Sequence, residues 1–287
     1  MTVKIHIKDL RQHNLRLVGP SDPSFDERLR MELKGESSDV VDVLKPFSVF
    51  FENKGERPVV SYLIQWCFTR ADGSNQYYRK VVMNPQPLME GENLSEELRR
   101  QSGRIEPDTA SFLSLLSTDG KGMLQTEVSP KEAEEFRRGK KLDQSAQLQR
   151  FRAQAAKYAE ITVSLDGAFF DDGTFVGPDT CNFFNQTKSV IDARRDLLNE
   201  IAGGLSNSTM TRDALYRRLQ ETASQPTEFI DSGSTPTDYY NYFKKFYASN
   251  ILQTTKLHGE DKALAMAVHP INKPWAKLNK KQTLGSK

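Results

Sequence analysis

The 287-residue sequence predicts an α+β fold in which an antiparallel β-sandwich is followed by a small α-helical C-terminal region. From Val60 onward, large apolar side chains alternate with smaller or polar ones, which is the period of a strand with one buried face. After Gly177-Pro178 the period changes from two to about three and a half, which is typical of amphipathic helices. We therefore place the boundary between the two parts at this dipeptide.

The predicted organisation has a β-rich domain, a helical region and a basic tail. Residues 1–177 form the β-sandwich domain with a charged helical insertion near residues 130–157, residues 178–270 form the helical region, and residues 271–287 form a basic flexible tail. A chain of this length can bury about three quarters of its unfolded surface without disulfides. We therefore expect Cys67 and Cys181 to be separate thiols rather than a bridge.

Three neighbouring strands are predicted in the centre of the β-rich domain. Residues 47–51 and residues 60–69 both alternate, and residues 53–56 between them tolerate turn dihedrals, so we expect these two runs to pair. Ala71-Asp72-Gly73 then turns the chain as a tight hairpin, because Asp-Gly readily adopts positive φ angles, and residues 77–83 return as a third strand. The apolar face of this sheet needs a cover, for which a second sheet is the natural candidate.

This region resembles a known family of sandwich modules. The run Phe47-x-Val-Phe-Phe-Glu-Asn-Lys-Gly-Glu-Arg-Pro-Val-Val-x-Tyr, continuing through Trp66 to Asp72-Gly73, is similar to bacterial immunoglobulin-like or fibronectin-III-like β-sandwich proteins. Residues 161–167 and 171–178 resemble the closing strands of such proteins. The chain lacks the paired cysteines that straddle the tryptophan in true immunoglobulin domains, since Cys67 is next to Trp66. The resemblance implies an immunoglobulin-like scaffold with a helical extension, and it carries over no catalytic residue.

Shorter patterns predict the other elements of the β-rich part. Strands are predicted at residues 3–7, 14–18, 110–117, 123–128 and 161–170, a hairpin at residues 171–176, a helix from Ser129, and a solvent-facing helix or loop at residues 140–157. Residues 25–34 fit an amphipathic strand or a short helix, and we favour the strand because Leu29, Met31 and Leu33 alternate with charged residues. Residues 40–44 are expected to lead into the central pair of strands.

Four helices are predicted after the boundary. The first has an apolar stripe from Phe184 to Ile201, is capped by Asp179 or Thr180, and ends at Gly203-Gly204. The second spans residues 210–223. The third starts at the capping box Thr235-Pro236-Thr237-Asp238, ends at Gly259 and is followed by a short helix at residues 260–268. The predicted buried face of the third helix consists of Tyr239, Phe243, Phe246, Tyr247, Ile251 and Leu252.

Charge and hydropathy restrict the partners. The net charge of +2 is too small for general attraction to nucleic acid, and the basic residues in 137–157 and in the tail lack interleaved aromatic residues. No run of eighteen apolar residues is present, so no membrane span is predicted. The start of the sequence lacks the apolar core of a secretory signal, and we expect a cytoplasmic protein, or an extracytoplasmic one if a signal peptide has been removed.

Motifs for catalysis, metal binding or cofactors are not evident. Asp166, Asp171 and Asp172 are the best metal candidates, but Asp-Gly is also what a hairpin requires, so we predict no metal site. The histidines at positions 6, 13, 258 and 269 have no recognisable catalytic neighbours. No glycine-rich phosphate loop follows a strand, so no cofactor is predicted.

The third predicted helix carries the best candidate binding residues. Its aromatic run contains Tyr240, Tyr242, Lys244 and Lys245, which fall largely outside the predicted buried stripe and could contact a partner. We therefore predict a non-enzymatic binding or structural module that acts through protein contacts, made by a sheet edge or by this helix face. The alternative is a hydrolase or carbohydrate-acting enzyme, with a site between the two parts built from Asp166, Asp171, Asp172 and Asp179.

Overall fold

The computed structural model describes residues 3–84, 88, 103–116, 144–206, 211–228, 230, 234–268 and 277–281. These residues belong to two compact units. Unit 1 comprises Met1–Val81 and Ile105–Asp166, and unit 2 comprises Val82–Arg104 and Gly167–Lys287. This division differs from the predicted boundary at residue 178, because it assigns residues 82–104 and 167–177 to the second unit. The predicted strand at residues 123–128 and the predicted helix start at Ser129 lie outside the described residues.

The described part of the chain is a mixture of strands and helices, as the α+β prediction requires. The strands are β1 (Lys4–Lys8), β2 (Leu15–Val18), β3 (Ser48–Asn53), β4 (Val59–Arg70), β5 (Asn75–Val82), β6 (Thr109–Ser114), β7 (Tyr158–Phe170), β8 (Thr174–Val176) and β9 (Asn279–Lys280). The helices are α1 (Phe25–Glu32), α2 (Ser38–Leu44), α3 (Gln144–Ala155), α4 (Phe183–Ser206), α5 (Arg212–Ser224), α6 (Pro236–His258) and α7 (Glu260–Val268). None of the described helices is long and apolar enough to cross a membrane.

Unit 1 contains two sheets. In the first, β3 lies between β2 and β6 and pairs antiparallel with both, with Phe51 opposite Leu17 and Phe50 opposite Phe112. In the second, β4 lies between β5 and β7, and β1 pairs with β7 in parallel, with Ile5 opposite Ile161. The second sheet is therefore mixed, whereas the sequence prediction was purely antiparallel.

The expected hairpin between β3 and β4 is wrong, because these strands belong to different sheets. The chain between β3 and β4 crosses from one sheet to the other, and the side chain of Asn53 forms hydrogen bonds to it. Its amide donates to the carbonyl of Arg57 at 2.8 Å and of Ile105 at 3.1 Å, and its oxygen accepts from the amide of Gly55 at 3.0 Å. Turn-forming residues suit a crossover as well as a hairpin, so the pattern located the turn but not the strand partner.

Aromatic side chains from the two sheets contact each other inside unit 1. Phe51 of β3 packs edge-on against Tyr62 of β4, with ring centroids 4.9 Å apart. Phe47, just before β3, lies 5.8 Å from Phe68 of β4. Trp66 of β4 has no exposed surface, as expected for a core residue. These large rings dominate the buried apolar area that stabilises unit 1.

The strand favoured at residues 25–34 is wrong, because α1 is the short helix that was the alternative there. Residues 40–44, for which no helix was predicted, belong to α2. Phe25 and Leu29, one helical turn apart, are buried in α1, whereas Met31 is 66% exposed. The alternation of apolar and charged residues in 25–34 therefore does not describe what is buried. In α2, the Ser37 hydroxyl accepts from the amide of Val40 at 3.4 Å, which caps the helix.

Charged contacts hold the helices of unit 1 in place. Arg28 of α1 donates to Glu52 of β3 at 2.6 Å and lies 4.4 Å above the ring of Phe50. Arg152 of α3 contacts Asp39 of α2 at 2.6 Å. The sequence predicted either a helix or a loop at residues 140–157. In the described part of this range, residues Gln144–Ala155 form a helix.

The predicted hairpin at residues 171–176 is confirmed and belongs to unit 2. The last residues of β7 pair antiparallel with β8, with Phe169 opposite Phe175, and Gly173 between them has a φ of 83°. β8 also pairs in parallel with β9, which places Thr174 opposite Asn279. β9 lies inside the range predicted as a flexible tail, so this short part of the tail forms a strand.

After β8, the described residues of unit 2 form four helices, with starts close to those predicted. Asp179 accepts from the amide of Phe184 at 3.0 Å, which confirms it as a cap of α4. Thr235 and Asp238 form the predicted capping box of α6, and Gly259 follows the end of α6 with a φ of 82°. The predicted end of α4 at Gly203-Gly204 is wrong, since the helix continues to Ser206. The buried residues of this helical core are Leu197, Leu198, Ile201, Leu215, Leu219, Ala248 and Leu264.

Candidate functional site

Two of the four predicted binding residues of α6 contact the neighbouring helix α4. The hydroxyl of Tyr240 donates to Asp196 at 3.0 Å, and Lys244 lies 3.7 Å from the carboxylate of Glu200. The ammonium of Lys244 also lies 5.8 Å from the centre of the Tyr240 ring. Tyr240 and Lys244 therefore help to hold α6 on α4, and their polar groups are already engaged within unit 2.

The electrostatics of this contact keep Tyr240 protonated. Burial raises the pKa of Tyr240 to about 12, and its hydrogen bond to the negatively charged Asp196 adds to this effect. Asp192 and Glu200 act in the same direction. The phenol therefore stays neutral, and a donor to Asp196, up to a higher pH than an ordinary tyrosine would.

The other two predicted residues, Tyr242 and Lys245, lie beside an exposed phenylalanine. Phe246 was predicted to be buried, and this is wrong because 45% of it is exposed. Its ring centroid lies 6.0 Å from that of Phe243, which in turn lies 5.4 Å from that of Tyr242. A row of aromatic rings therefore runs from the half-buried Tyr242 to the outer side of α6.

The reason for the error is the small residue at the centre of the true contact face. Ala248 is fully buried in the helical core, and Tyr247, Ile251 and Leu252 pack around it. Alanine contributes little to a hydrophobic pattern, so the aromatic residues determined the predicted face. Phe246 lies two residues from Ala248, which puts the two about 160° apart around the helix.

Leu257 extends the exposed row toward the end of α6. It is 70% exposed and follows Phe246 by eleven residues, a rise of about 16 Å along the helix. Lys245 and Lys256 lie beside these residues, and neither forms an ion pair within the part of the chain that the structure describes. We call Tyr242, Lys245, Phe246, Lys256 and Leu257 the α6 stripe.

The stripe has one sign of charge. Between Tyr239 and His258 the sequence contains three lysines and no aspartate or glutamate. Asp238, the last acidic residue before this range, is occupied by the capping box with Thr235. An acidic surface is therefore the electrostatic complement of the stripe.

The aspartates considered for metal binding or hydrolysis have structural contacts. Asp172 accepts from the amide of Thr174 at 2.9 Å, and Asp171 lies 3.6 Å from Arg104. Asp179 pairs with Lys280 at 2.6 Å in addition to capping α4. Asp166, in unit 1, is buried and has a polar interaction of its own. Within the described residues no three His, Cys, Asp or Glu side chains form a group that could hold a metal ion.

A cleft between α1 and α2 in unit 1 was missed, because a strand was favoured over a short helix at residues 25–34 and no helix was predicted at residues 40–44. It has a volume of about 380 Å³, and Leu29, Leu33 and Val41 form its apolar part. The charged residues around them are Asp26, Arg30, Lys34, Glu36, Asp42 and Lys45. Lys45 is paired with Asp26 at 2.6 Å. The cleft thus has charges of both signs and no group that selects one class of ligand.

Where the structure describes them, the cysteines and histidines form no recognisable catalytic group. Cys67 and Cys181 form no disulfide with each other, as predicted. His6 lies 3.9 Å from Glu160 at an exposed position on the sheet of unit 1, and His258 is exposed at the end of α6. His269 lies outside the described residues.

A comparison with protein-family models, curated proteins and solved structures gives no match. The resemblance to bacterial immunoglobulin-like modules therefore stays a prediction from the sequence.

Proposed function

We propose that this protein is a non-enzymatic binding module that contacts another protein through the α6 stripe. The observation that carries the proposal is the exposure of Phe246 and Leu257 on one helix, beside two lysines without ion pairs among the described residues. Exposed aromatic and aliphatic side chains in a row are typical of contact surfaces. Burying one such side chain contributes about 1.5–3 kcal/mol.

The partner that fits this surface is an acidic amphipathic segment of another protein. Its apolar residues would cover Phe246 and Leu257, and its carboxylates would pair with Lys245 and Lys256. After Asp238, which is occupied by the capping box, α6 contains no carboxylate that would repel such a segment. An aromatic residue near the centre of the contact is expected to supply much of the binding energy.

The rest of unit 2 supports α6 as a rigid surface. α6 packs against α4, α5 and α7, and Tyr240 and Lys244 tie it to α4. A preformed helix loses little conformational entropy on binding, which favours affinity. In unit 1, the contacts of Phe51 with Tyr62 and of Phe47 with Phe68 support the proposal of an immunoglobulin-like β-sandwich as a scaffold.

Two expectations from the sequence remain without a test. The hydrolase or carbohydrate-acting alternative stays a prediction, since no observation on the described residues favours it over protein binding. The cytoplasmic location also stays a prediction.

Capture of partners with matched variants tests the proposal. The protein, a Phe246→Ala/Leu257→Ala variant and a Met31→Ala control are immobilised at equal density and exposed to a lysate of the source cells. Met31 is an exposed apolar residue of unit 1, far outside the stripe in sequence. The protein and the Met31→Ala control should retain a specific partner equally. The double variant should retain at least about tenfold less of it, which is equivalent to about 1.4 kcal/mol of binding free energy.

The captured partner is then purified and its dissociation constant is measured at low and high salt. Weaker binding at high salt is expected, because the lysines contribute by charge. All variants should keep the melting temperature of the unaltered protein to within a few degrees. Equal capture by the double variant and the control would contradict the proposal.

A further inference from the structure

Lys80 in unit 1 has unusual surroundings for a lysine. It lies on β5, the terminal strand of the β5-β4-β7 sheet, and it is half-buried. Its ammonium donates to the backbone carbonyl of Ser114 on β6 at 3.2 Å. Within the part of the chain that the structure describes, no carboxylate lies within ion-pairing distance of this ammonium. The amine is therefore held by a neutral acceptor.

The strand register places Lys80 on the apolar side of its sheet. Arg79 donates to the side chain of Gln65 at 3.1 Å, and Thr69 donates to the side chain of Asn75 at 2.8 Å. These two contacts put residue 79 opposite residue 65, so Lys80 lies opposite the fully buried Ile64. Arg79, the adjacent charged residue, is on the other face because side chains alternate along a strand.

Such an environment favours the neutral form of the amine. Burial lowers the pKa of Lys80, since the charged form loses hydration and no carboxylate of the described residues pairs with it. Only the neutral amine has a free electron pair with which to attack an electrophile. Lysines in apolar surroundings are activated in this way for reaction with carbonyl compounds.

We propose that Lys80 is a covalent attachment site for small aldehydes, which condense with its amine to form an imine. The Nζ electron pair attacks the carbonyl carbon, and a new C–N bond forms as the C=O π bond opens. The oxygen takes up one proton from the nitrogen and one from the solvent and leaves as water, while the nitrogen electron pair forms the second bond of the protonated C=N group. The step needs no oxidant or reductant. A protonated imine keeps one N–H that can still donate to the carbonyl of Ser114.

Competitive labelling tests this site, and the sequence offers a convenient internal control. Cleavage after glutamate releases residues 57–90, in which Lys80 is the single lysine, and residues 53–56, in which Lys54 is the single lysine. Lys54 is exposed on the connection between β3 and β4. The folded protein is treated at pH 7 with limiting acetaldehyde, imines are reduced with cyanoborohydride, and both peptides are quantified by mass spectrometry.

Labelling of Lys80 should exceed that of Lys54 by at least about threefold, because each unit of pKa difference changes the neutral fraction about tenfold. The ratio should fall to about one in concentrated urea, where the two lysines have equivalent surroundings. Lys80→Arg should remove the label from the longer peptide, leave Lys54 labelled as before and preserve the melting temperature. A ratio of one or less in the folded protein would overturn the proposal, and so would a high ratio that persists in urea.

Discussion

At the scale of single residues, two glycines illustrate opposite uses of a missing side chain. A Cβ atom on Gly167 would lie 2.4 Å from the ring of Phe175, closer than side-chain atoms can approach. A Cβ atom on Gly203, inside α4, would meet nothing within 4 Å. The first glycine therefore makes room for an aromatic ring, whereas the second only makes its helix less stable than alanine would.

We predict that Gly203→Ala stabilises unit 2 and that Gly167→Ala destabilises it. Alanine at position 203 should raise the free energy of unfolding by about 0.5–1 kcal/mol, the usual preference for alanine inside a helix. Alanine at position 167 should lower it by about 1–3 kcal/mol, because Phe175 has to move. Urea titrations followed by circular dichroism measure both changes. A stabilising Gly167→Ala would show that the close contact with Phe175 is wrong.

Trp66 is a core residue with a polar group that lacks a partner. Its indole nitrogen is fully buried and forms no hydrogen bond with the described residues. Trp66→Phe removes this donor. The cost of the lost side-chain volume is therefore partly offset, because a buried unpaired donor destabilises the protein by about 1–3 kcal/mol and this penalty disappears. We expect Trp66→Phe to cost less than about 2 kcal/mol, and Trp66→Ala about 3–5 kcal/mol. Equal costs in urea titrations would contradict this account of the indole.

The sequence predicted individual roles well where the mechanism is local. The caps at Asp179 and Thr235 follow from hydrogen bonds within one turn, so a short motif suffices to find them. The exposure of Phe246 depends instead on which neighbours reach α6, and the small Ala248 gives no visible signal of the helix packing around it. For the same reason, the sequence did not show that two of the four candidate binding residues, Tyr240 and Lys244, contact α4.

At the scale of elements, helix α6 depends on its capping box. Thr235→Ala should destabilise unit 2 by about 1 kcal/mol, because the hydroxyl accepts from the amide of Asp238. The matched control is Thr237→Ala, which alters an exposed threonine two residues after Thr235 and should have little effect. Thermal melting followed by circular dichroism distinguishes the two. Similar losses for both variants would indicate that the capping box contributes nothing of its own.

The same box predicts a dependence on pH. Hydrogen bonds from the side chain and the backbone amide of Thr235 lower the pKa of Asp238 below its ordinary value of 3.8. The contribution of Asp238 to stability is therefore fully present above the pKa of the unfolded chain and is lost as pH falls through the lower, folded pKa. Asp238→Asn should flatten the stability profile below about pH 4. Urea titrations at each pH measure the free energy of unfolding. If Asp238→Asn loses as much stability below about pH 4 as the unaltered protein does, this explanation is contradicted.

Elements with a long or strongly marked pattern were predicted, and short ambiguous ones were not. β4 and the hairpin at Asp171-Asp172-Gly173 carry clear alternation and turn signals, and the structure has both. α1 was misread because eight residues do not distinguish period two from period three and a half when charges interrupt them. The helix buries Phe25 and Leu29 and places Arg28 against Glu52, and these tertiary contacts are not visible in the local pattern.

At the scale of the whole molecule, strand partners could not be read from the sequence. The separation of β3 from β4 depends on hydrogen bonds of Asn53 to Arg57 and Ile105, and Ile105 is distant in sequence. The parallel pairing of β1 with β7 likewise joins segments more than 150 residues apart. Local periodicity shows which face of a strand is buried but carries no information on such distant pairs.

The function proposed for the molecule combines the stripe on α6 with the charge distribution of the chain. The net charge of the chain is only +2, but after Asp238 the charged residues of α6 are three lysines and no carboxylate. A surface of this kind is selective for acidic partners even when the whole protein is nearly neutral. Binding should therefore depend on Phe246 and Leu257 for affinity and on Lys245 and Lys256 for salt sensitivity.

Site-specific photo-crosslinking in the source cells tests the central claim most directly. A benzophenone amino acid replaces Phe246 in one variant and the exposed Met31 of unit 1 in another, and crosslinked peptides are identified by mass spectrometry after irradiation. The proposal predicts one dominant partner at position 246, joined through a segment rich in acidic and apolar residues, and no such product at position 31. No product at position 246, or the same products at both positions, would contradict a contact surface on α6.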